Sequence, residues 1–306
     1  MTSVRCTCPH FMSGILLGIY HILSYNKYMD KIEIRRNEYL KEYTTLHIGG
    51  KCKKLYFPKN EEEVKKILAN DQPIILGNGS NVLISDEREF ESAMILTQMN
   101  HIECKSEVII AEAGARLMDV CLYAYQRGLS GLEFAYGIPG SVGGAVIMNA
   151  GAYGGEISDV VECVTTTEKQ YSKEACAFSY RHSVFSDRSE CIINAVFRLK
   201  KGDKEMIRMK MKELIEKRIE KQPLDQYSAG STFKRGPDFY ASQLINDCSL
   251  KGYHVNEAAV STKHAGFLIN QGEASFRDFL TLIHQVQAIV YEQTSKHLEC
   301  EIKIIE

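Results

Sequence analysis

The sequence predicts a mixed α+β protein divided into more than one domain. Three observations carry that prediction: strand and helix patterns alternate from about Ile32 onward, a segment dense in glycine sits mid-chain, and the patterning changes near Gly202. At 306 residues the chain can bury a substantial core and fill two or three domains. Periodicity alone leaves an α/β arrangement open beside α+β.

The elements follow in order. Residues 61–70, "EEEVKKILAN", open with carboxylates that suit the positive end of a helix dipole. "PIILGNGSNVLIS" (73–85) reads as strand, glycine turn, strand. Residues 106–115 read as a strand, and 116–128 as a helix stopped by glycine. Residues 191–200 form another strand. A charged helix spans about 205–221, with Ile207, Met211, Leu214 and Ile215 on one stripe, and Pro223 stops it. The last third holds "FYASQLINDCSLKG" as helix, "AGFLIN" as strand and a long helix over 275–297. In that helix Phe276, Phe279, Leu280, Ile283, Val286 and Val290 recur at helical spacing, so they form its core face. "ECEIKIIE" closes the chain as an edge strand.

Composition excludes several classes. Hydrophobic content of 44% and charged content of 25% are those of a soluble globular protein. A net charge of −2 argues against a nucleic-acid or anionic-membrane partner, while local basic patches remain free to bind a phosphorylated small molecule. The ten cysteines include no C-x-x-C, and Cys6 and Cys8 form an isolated C-x-C, so the thiols read as reduced and cytoplasmic. "HFMSGILLGIYHIL" (10–23) resembles a weak signal core, yet it holds two histidines and lacks a small-residue cleavage site. The segment reads as a non-essential N-terminal extension, with a natural start at Met29 and an upstream extension of 28 residues as the alternative.

The run from Gly131 to Ile157 contains eight glycines. Leu132, Phe134, Tyr136, Ile138, Val142, Val146, Ile147 and Met148 sit between them, too apolar for a linker. A packed surface that meets a large ligand through bare main chain explains both features. "LGNGSNVLISD" (76–86) is a second glycine motif, and it is not the G-x-G-x-x-G of a Rossmann unit. Gly77 and Gly79 permit positive φ, so successive N–H groups can converge on an anion, with Ser80 and Asn81 as added donors. Alone, this motif reads equally as a structural turn. Two such loops together could clamp both ends of a pyrophosphate.

These blocks occur in order with "YTTLHIGGKCKKLYFP", "SYRHSVF", "QYSAGSTFKRG" and "LECEIKIIE", and the set resembles the MurB family, the UDP-N-acetylenolpyruvoylglucosamine reductases. The similarity runs from Asn37 to Glu306. It implies an FAD-binding fold of the vanillyl-alcohol-oxidase (PCMH) type in two subdomains, about 31–92 and 93–203. A C-terminal α+β substrate domain would follow over 204–306, with residues 1–30 as an extension of uncertain role. FAD would be non-covalent: no histidine lies in either glycine block, and His47 matches a family position that makes no covalent link. Gly77, Asn78, Gly79, Ser80, Asn81 and Val82 would hold the cofactor diphosphate with Gly137, Pro139, Gly140, Ser141, Gly143 and Gly144. Asn149, Ala150 and Gly151 would lie near the flavin ring.

The family reaction reduces an enolpyruvyl ether, with NADPH as co-substrate and UDP-N-acetylglucosamine enolpyruvate as acceptor. By resemblance Ser231 is the proton donor and Arg181 contacts the substrate carboxylate, for which its planar fork is suited. Glu301 matches the family's C-terminal glutamate, although Cys300 and Lys303 replace the usual proline and arginine. Glu299 is a rival, because strand alternation puts both on one face. Tyr180, Arg218, Lys234, Asn246, Lys263 and His264 are candidate contacts for the UDP-sugar, and Tyr153 for flavin or substrate. The short connector after Arg181 resembles the type II class. The expected protein is a cytoplasmic, monomeric flavoenzyme. Its rivals are an oxidase on the same fold and a non-catalytic UDP-sugar binding protein.

Overall fold

The computed structural model describes residues 32–306, and the readings of the N-terminal extension and the C-x-C pair lie outside them. The chain opens on β1 (Glu33–Tyr39), antiparallel to β2 (Lys51–Phe57). Helix α1 (Glu61–Asn70) begins where its carboxylates predict, and Asn60 caps it by accepting from the Glu63 N–H. Strands β3 (Ile74–Leu76) and β4 (Val82–Ile84) flank the first glycine turn, as expected. Strand β5 (Phe90–Ile95) runs parallel to both β2 and β3, completing a sheet of order β1-β2-β5-β3. Leu55, Phe57, Leu76, Phe90 and Ile95 form its core.

The second sheet is antiparallel throughout. A hairpin joins β6 (Ile102–Lys105) to β7 (Val108–Glu112) and turns at Ser106, where φ is +58. Helix α2 (Leu117–Gln126) then ends at Gly128 in the left-handed conformation, φ +67, the stop that the sequence predicts. The second glycine block supplies a short helix α3 (Val142–Ile147). Strands β8 (Val161–Thr166), β9 (Gln170–Ser172) and β10 (Ile192–Arg198) complete the order β9-β8-β10-β7-β6. Ile109, Leu117, Val120, Val146, Val164 and Phe197 lie in the main core, each worth about 1.5–3 kcal/mol of burial.

Helix α4 (Lys204–Lys221) follows the change of character at Gly202, yet it packs back on the main core through Ile207 and Met211. Leu214 is buried and Ile215 only partly so. Strand β11 (Tyr227–Ser231) starts the third sheet. Helix α5 (Ala241–Asp247) is shorter than the run read as helical, because Ser249 and Gly252 take φ of +58 and +79 and turn the chain back. Strands β12 (His254–Val255), β13 (Ala258–Val260) and β14 (Phe267–Asn270) give the order β11-β14-β13-β12. Helix α6 (Phe276–Thr294) covers this sheet, with a capping box between Ser275 and Asp278. Phe276, Phe279, Ile283, Val286 and Val290 are buried as its periodicity predicts, and Leu280 only partly.

The sheets interlock. Leu46, Ile48 and Leu83 insert into the core beneath α6. The Thr45 hydroxyl donates to Ser228 O at 2.7 Å, and Asn270 Nδ2 to Leu46 O at 3.1 Å. The terminal strand β15 (Lys303–Ile305) returns to pair in parallel with β4. That return brings residue 301 beside the first glycine turn.

Candidate active site

The two glycine loops meet although some 60 residues separate them. Asn78 Nδ2 donates to Pro139 O at 2.6 Å, and a Cβ on Gly77 would collide with the Ser141 hydroxyl. Gly79 has φ +60 and lies directly on the Tyr43 carbonyl, so no larger residue fits. The N–H groups of Asn78, Gly79 and Ser80 find no main-chain acceptor among the described residues. Gly140 behaves differently: a Cβ there would reach nothing closer than 3.8 Å, one neighbour being Ser80 Oγ. The loops therefore form a surface of unpaired N–H and O–H donors with bare main chain across it. This is the donor set that an organic diphosphate needs, and FAD fits it.

Other members of the predicted set have structural duties. Asn81 gives Nδ2 to Glu301 O at 3.2 Å and accepts from the Lys303 N–H at 2.9 Å. Val82 lies within β4 and Gly143 packs on Ala113. Ser141 caps α3 by accepting from the Gly144 N–H. Asn149 is fully buried with φ +40; its amide donates to Ser179 O and accepts from the Ser158 N–H. Ala150 follows it, partly buried against the main core.

Arg181 stands on a two-residue turn closed by reciprocal main-chain bonds between Ser179 and His182. Its φ is +55, a conformation that non-glycine residues adopt at a cost of about 1–3 kcal/mol and that recurs at functional sites. The Ser183 hydroxyl anchors the turn by donating to Ile147 O at 2.8 Å. Arg181 Nε donates to Glu301 Oε1 at 2.6 Å, and Nη2 to Gly151 O at 3.1 Å. Burial pushes the Glu301 carboxyl above its usual value, and the Arg181 guanidinium opposes that rise without cancelling it.

The geometry separates the two glutamates that strand alternation could not. The Glu301 side chain is 13% exposed, whereas that of Glu299 is 74% exposed and pairs with Lys234 Nζ at 2.5 Å. Residues 299 to 302 all lie ahead of β15, so strand alternation does not govern either glutamate.

Ser231 ends β11, just past a bulge between Ser228 and Ser231. Gly230 there has φ +77 and open space where a Cβ would be. The Ser231 hydroxyl makes no hydrogen bond within the described residues. Its strand continues beside the C-terminal segment, where Glu301 N donates to Thr232 O at 2.8 Å and Lys234 N to Glu299 O at 2.8 Å. Arg181, Glu301 and the Ser231 segment are thereby joined along one seam.

The remaining candidates scatter. Tyr180 lies under two guanidiniums, those of Arg181 at 5.0 Å and Arg235 at 4.5 Å. Asn246 is exposed on α5 and reaches Asp247. Lys263 Nζ donates to Ile219 O at 2.7 Å, capping the last turn of α4. His264 packs edge-on against Phe267, accepts from the Gly266 N–H, and is driven by burial below its usual pKa. Arg218 lies on α4 against Gly137, and Tyr153 is exposed with φ +55. Sequence reasoning did not single out Arg235, Thr232 or the Asn81–Glu301 tie. Proximity of Arg235 to the Ser231 motif was the one available signal.

Comparison with known proteins gives first the class. Residues 53–169 match a family model described as FAD binding domain, a span that contains both glycine loops. The chain is an FAD-containing oxidoreductase. Residues 222–305 match a second model, UDP-N-acetylenolpyruvoylglucosamine reductase, C-terminal domain. The UDP-N-acetylenolpyruvoylglucosamine reductase of Clostridium novyi (strain NT) is 44% identical over 90% of this chain and 94% of its own. That of Lactiplantibacillus plantarum is 42% identical, with the same coverage of 90% and 94%. The crystal structure of the MurB reductase from Thermus caldophilus superposes with a TM-score of 0.79 at 34% identity, covering 90% of this chain and 100% of that one. This chain belongs to the UDP-N-acetylenolpyruvoylglucosamine reductase family. The expected α+β, FAD-binding fold is the fold found.

Proposed function

We propose that this chain reduces UDP-N-acetylglucosamine enolpyruvate to UDP-N-acetylmuramate, a step of peptidoglycan precursor synthesis. The observation that carries the reading is the part-buried Arg181–Glu301 pair at the seam that ends in the Ser231 hydroxyl, which has no partner among the described residues. FAD, when bound, supplies the hydride for the vinyl carbon β to the carboxylate, and NADPH replenishes it as co-substrate.

Charge then develops at the α carbon and spreads into the carboxylate. Arg181 neutralises that carboxylate with its planar fork, which requires it to loosen its bond to Glu301. Glu301 tolerates the exchange because burial favours its protonated form. Ser231 donates its proton to the α carbon; a hydroxyl is a weak acid, so it acts only against a strong base held in place. The UDP end is assigned to Tyr180, Lys234, Asn246, Lys263 and His264. Of these, Tyr180 and Lys234 lie on segments that touch the seam.

The protein is proposed to act as a monomer in the cytoplasm. Eight free cysteines among the described residues support a reducing compartment. No helix of the described residues is long and apolar enough to cross a membrane.

Anaerobic stopped-flow absorbance tests the reading. NADPH should bleach the flavin band, and UDP-N-acetylglucosamine enolpyruvate should then restore it. Restoration by air alone, with the sugar inert, would identify an oxidase instead.

A further inference from the structure

Helix α4 carries a guanidinium that the reaction does not use. Arg218 Nε is buried without an acceptor among the described residues, and the buried Gln222 Oε1, one turn further on, has no donor. Other cations of the same helix are paired, Lys210 and Lys217 with Glu213 and Arg208 with Glu205. Arg218 has no such carboxylate among the described residues. Burial pushes its pKa down, and among the described residues only the neighbouring Tyr153 phenol opposes that shift. Arg218 is half-buried, but its Nε donor is sealed from solvent; a buried donor left unpaired is costly, so its retention calls for an acceptor, and beside a guanidinium an anionic one, from outside the chain.

The side chain lies against the second glycine block. Its Cδ lies over Gly137, where a Cβ would stand 2.8 Å away. Gly137 begins the loop whose Pro139 carbonyl accepts from Asn78 of the other glycine turn. Arg218 precedes the matched C-terminal domain, residues 222–305, while Gly137 falls within the matched FAD binding domain, residues 53–169. Helix α4 itself packs on the core of that domain through Ile207 and Met211.

We infer that Arg218 is a counter-cation of bound FAD, gripping its diphosphate at the Gly137 turn, and is not a contact to the UDP group of the substrate. The inference rests on the cofactor assignment and moves Arg218 from the substrate set to the cofactor set.

The test compares full-length Arg218→Met and Arg218→Lys with wild type. FAD dissociation from each holoprotein is read by flavin fluorescence on dilution, and UDP-N-acetylmuramate affinity by perturbation of the flavin absorbance. Arg218→Met should raise the Kd for FAD at least tenfold, and Arg218→Lys should recover most of the loss. The Kd for UDP-N-acetylmuramate should stay within about twofold in Arg218→Lys. Unchanged FAD affinity in Arg218→Met overturns the inference, as does a selective loss of UDP-N-acetylmuramate. Should Arg218→Met fail to fold by circular dichroism, Arg218→Gln replaces it, and FAD affinity equal to that of Arg218→Lys overturns the inference. A wild-type protein without flavin would instead contradict the cofactor assignment itself.

Discussion

At the scale of single residues, the proposed reaction gives Arg181 two competing carboxylates. Glu301 holds it in the free protein, and in the proposed reaction the substrate carboxylate takes it. Protonating Glu301 frees the guanidinium, and burial displaces that titration upward from the ordinary carboxylate range. Lys234 is the other cation acting on Glu301, and it is itself engaged by Glu299. Substrate affinity should therefore weaken as pH rises through the Glu301 titration, and Glu301→Gln should flatten that dependence. Binding of the UDP-sugar titrated by flavin absorbance between pH 5 and 9 checks both outcomes. Arg181→Met should lower kcat/KM for flavin reoxidation by about 10²-fold, from the loss of one or two charge-assisted hydrogen bonds of about 1.5–3 kcal/mol each. Flavin reduction by NADPH, followed separately, should change far less.

At the scale of elements, the sequence was most legible where periodicity was long or caps were explicit. Helices α1, α2 and α6 lie where Asn60, Gly128 and Ser275 bound them. Strands β5 and β8 were not singled out, because their residues face neighbours brought in from distant parts of the chain. Helix α5 was overextended, because a left-handed Ser249 has no strong sequence signature. A polar network under β2 was also invisible, since Lys54, Tyr56, Asp71 and Ser92 are scattered in sequence. In the fold all three donors bond the Asp71 carboxylate, at 2.7, 2.9 and 2.8 Å. Burial raises the Asp71 pKa, but these bonds outweigh it and hold the group at about 2. With its native value below the unfolded one, Asp71 stabilises the fold at pH above about 4 and loses that contribution as pH falls towards 2. Asp71→Asn should cost about 1–2 kcal/mol at pH 7 and about a third of that at pH 2.5, read by urea unfolding.

At the scale of the whole molecule, the site is made by closure. Residues 77–81, 137–144, 181, 231 and 301 lie mostly on loops that flank three sheets, and they meet because β15 returns to β4 and Leu46, Ile48 and Leu83 enter the core beneath α6. Long ordered motifs made the family legible from the chain alone. Physical reading of single residues did not reach as far: it left Glu299 and Glu301 level, and it placed Arg218 without sight of its unpaired Nε or its contact with Gly137. Both ambiguities were about burial and partners, which spacing along a chain does not encode. Most of the glycines likewise serve contacts between segments, as Gly77 does against Ser141 and Gly137 against Arg218.

The central claim is that Ser231 delivers the proton after hydride transfer. Ser231→Ala should leave NADPH reduction of the flavin near the wild-type rate. In anaerobic rapid mixing of the reduced variant with UDP-N-acetylglucosamine enolpyruvate, flavin reoxidation should slow by about 10²–10⁴-fold. Reoxidation at the wild-type rate would contradict the assignment and place the proton elsewhere along the Arg181–Glu301 seam.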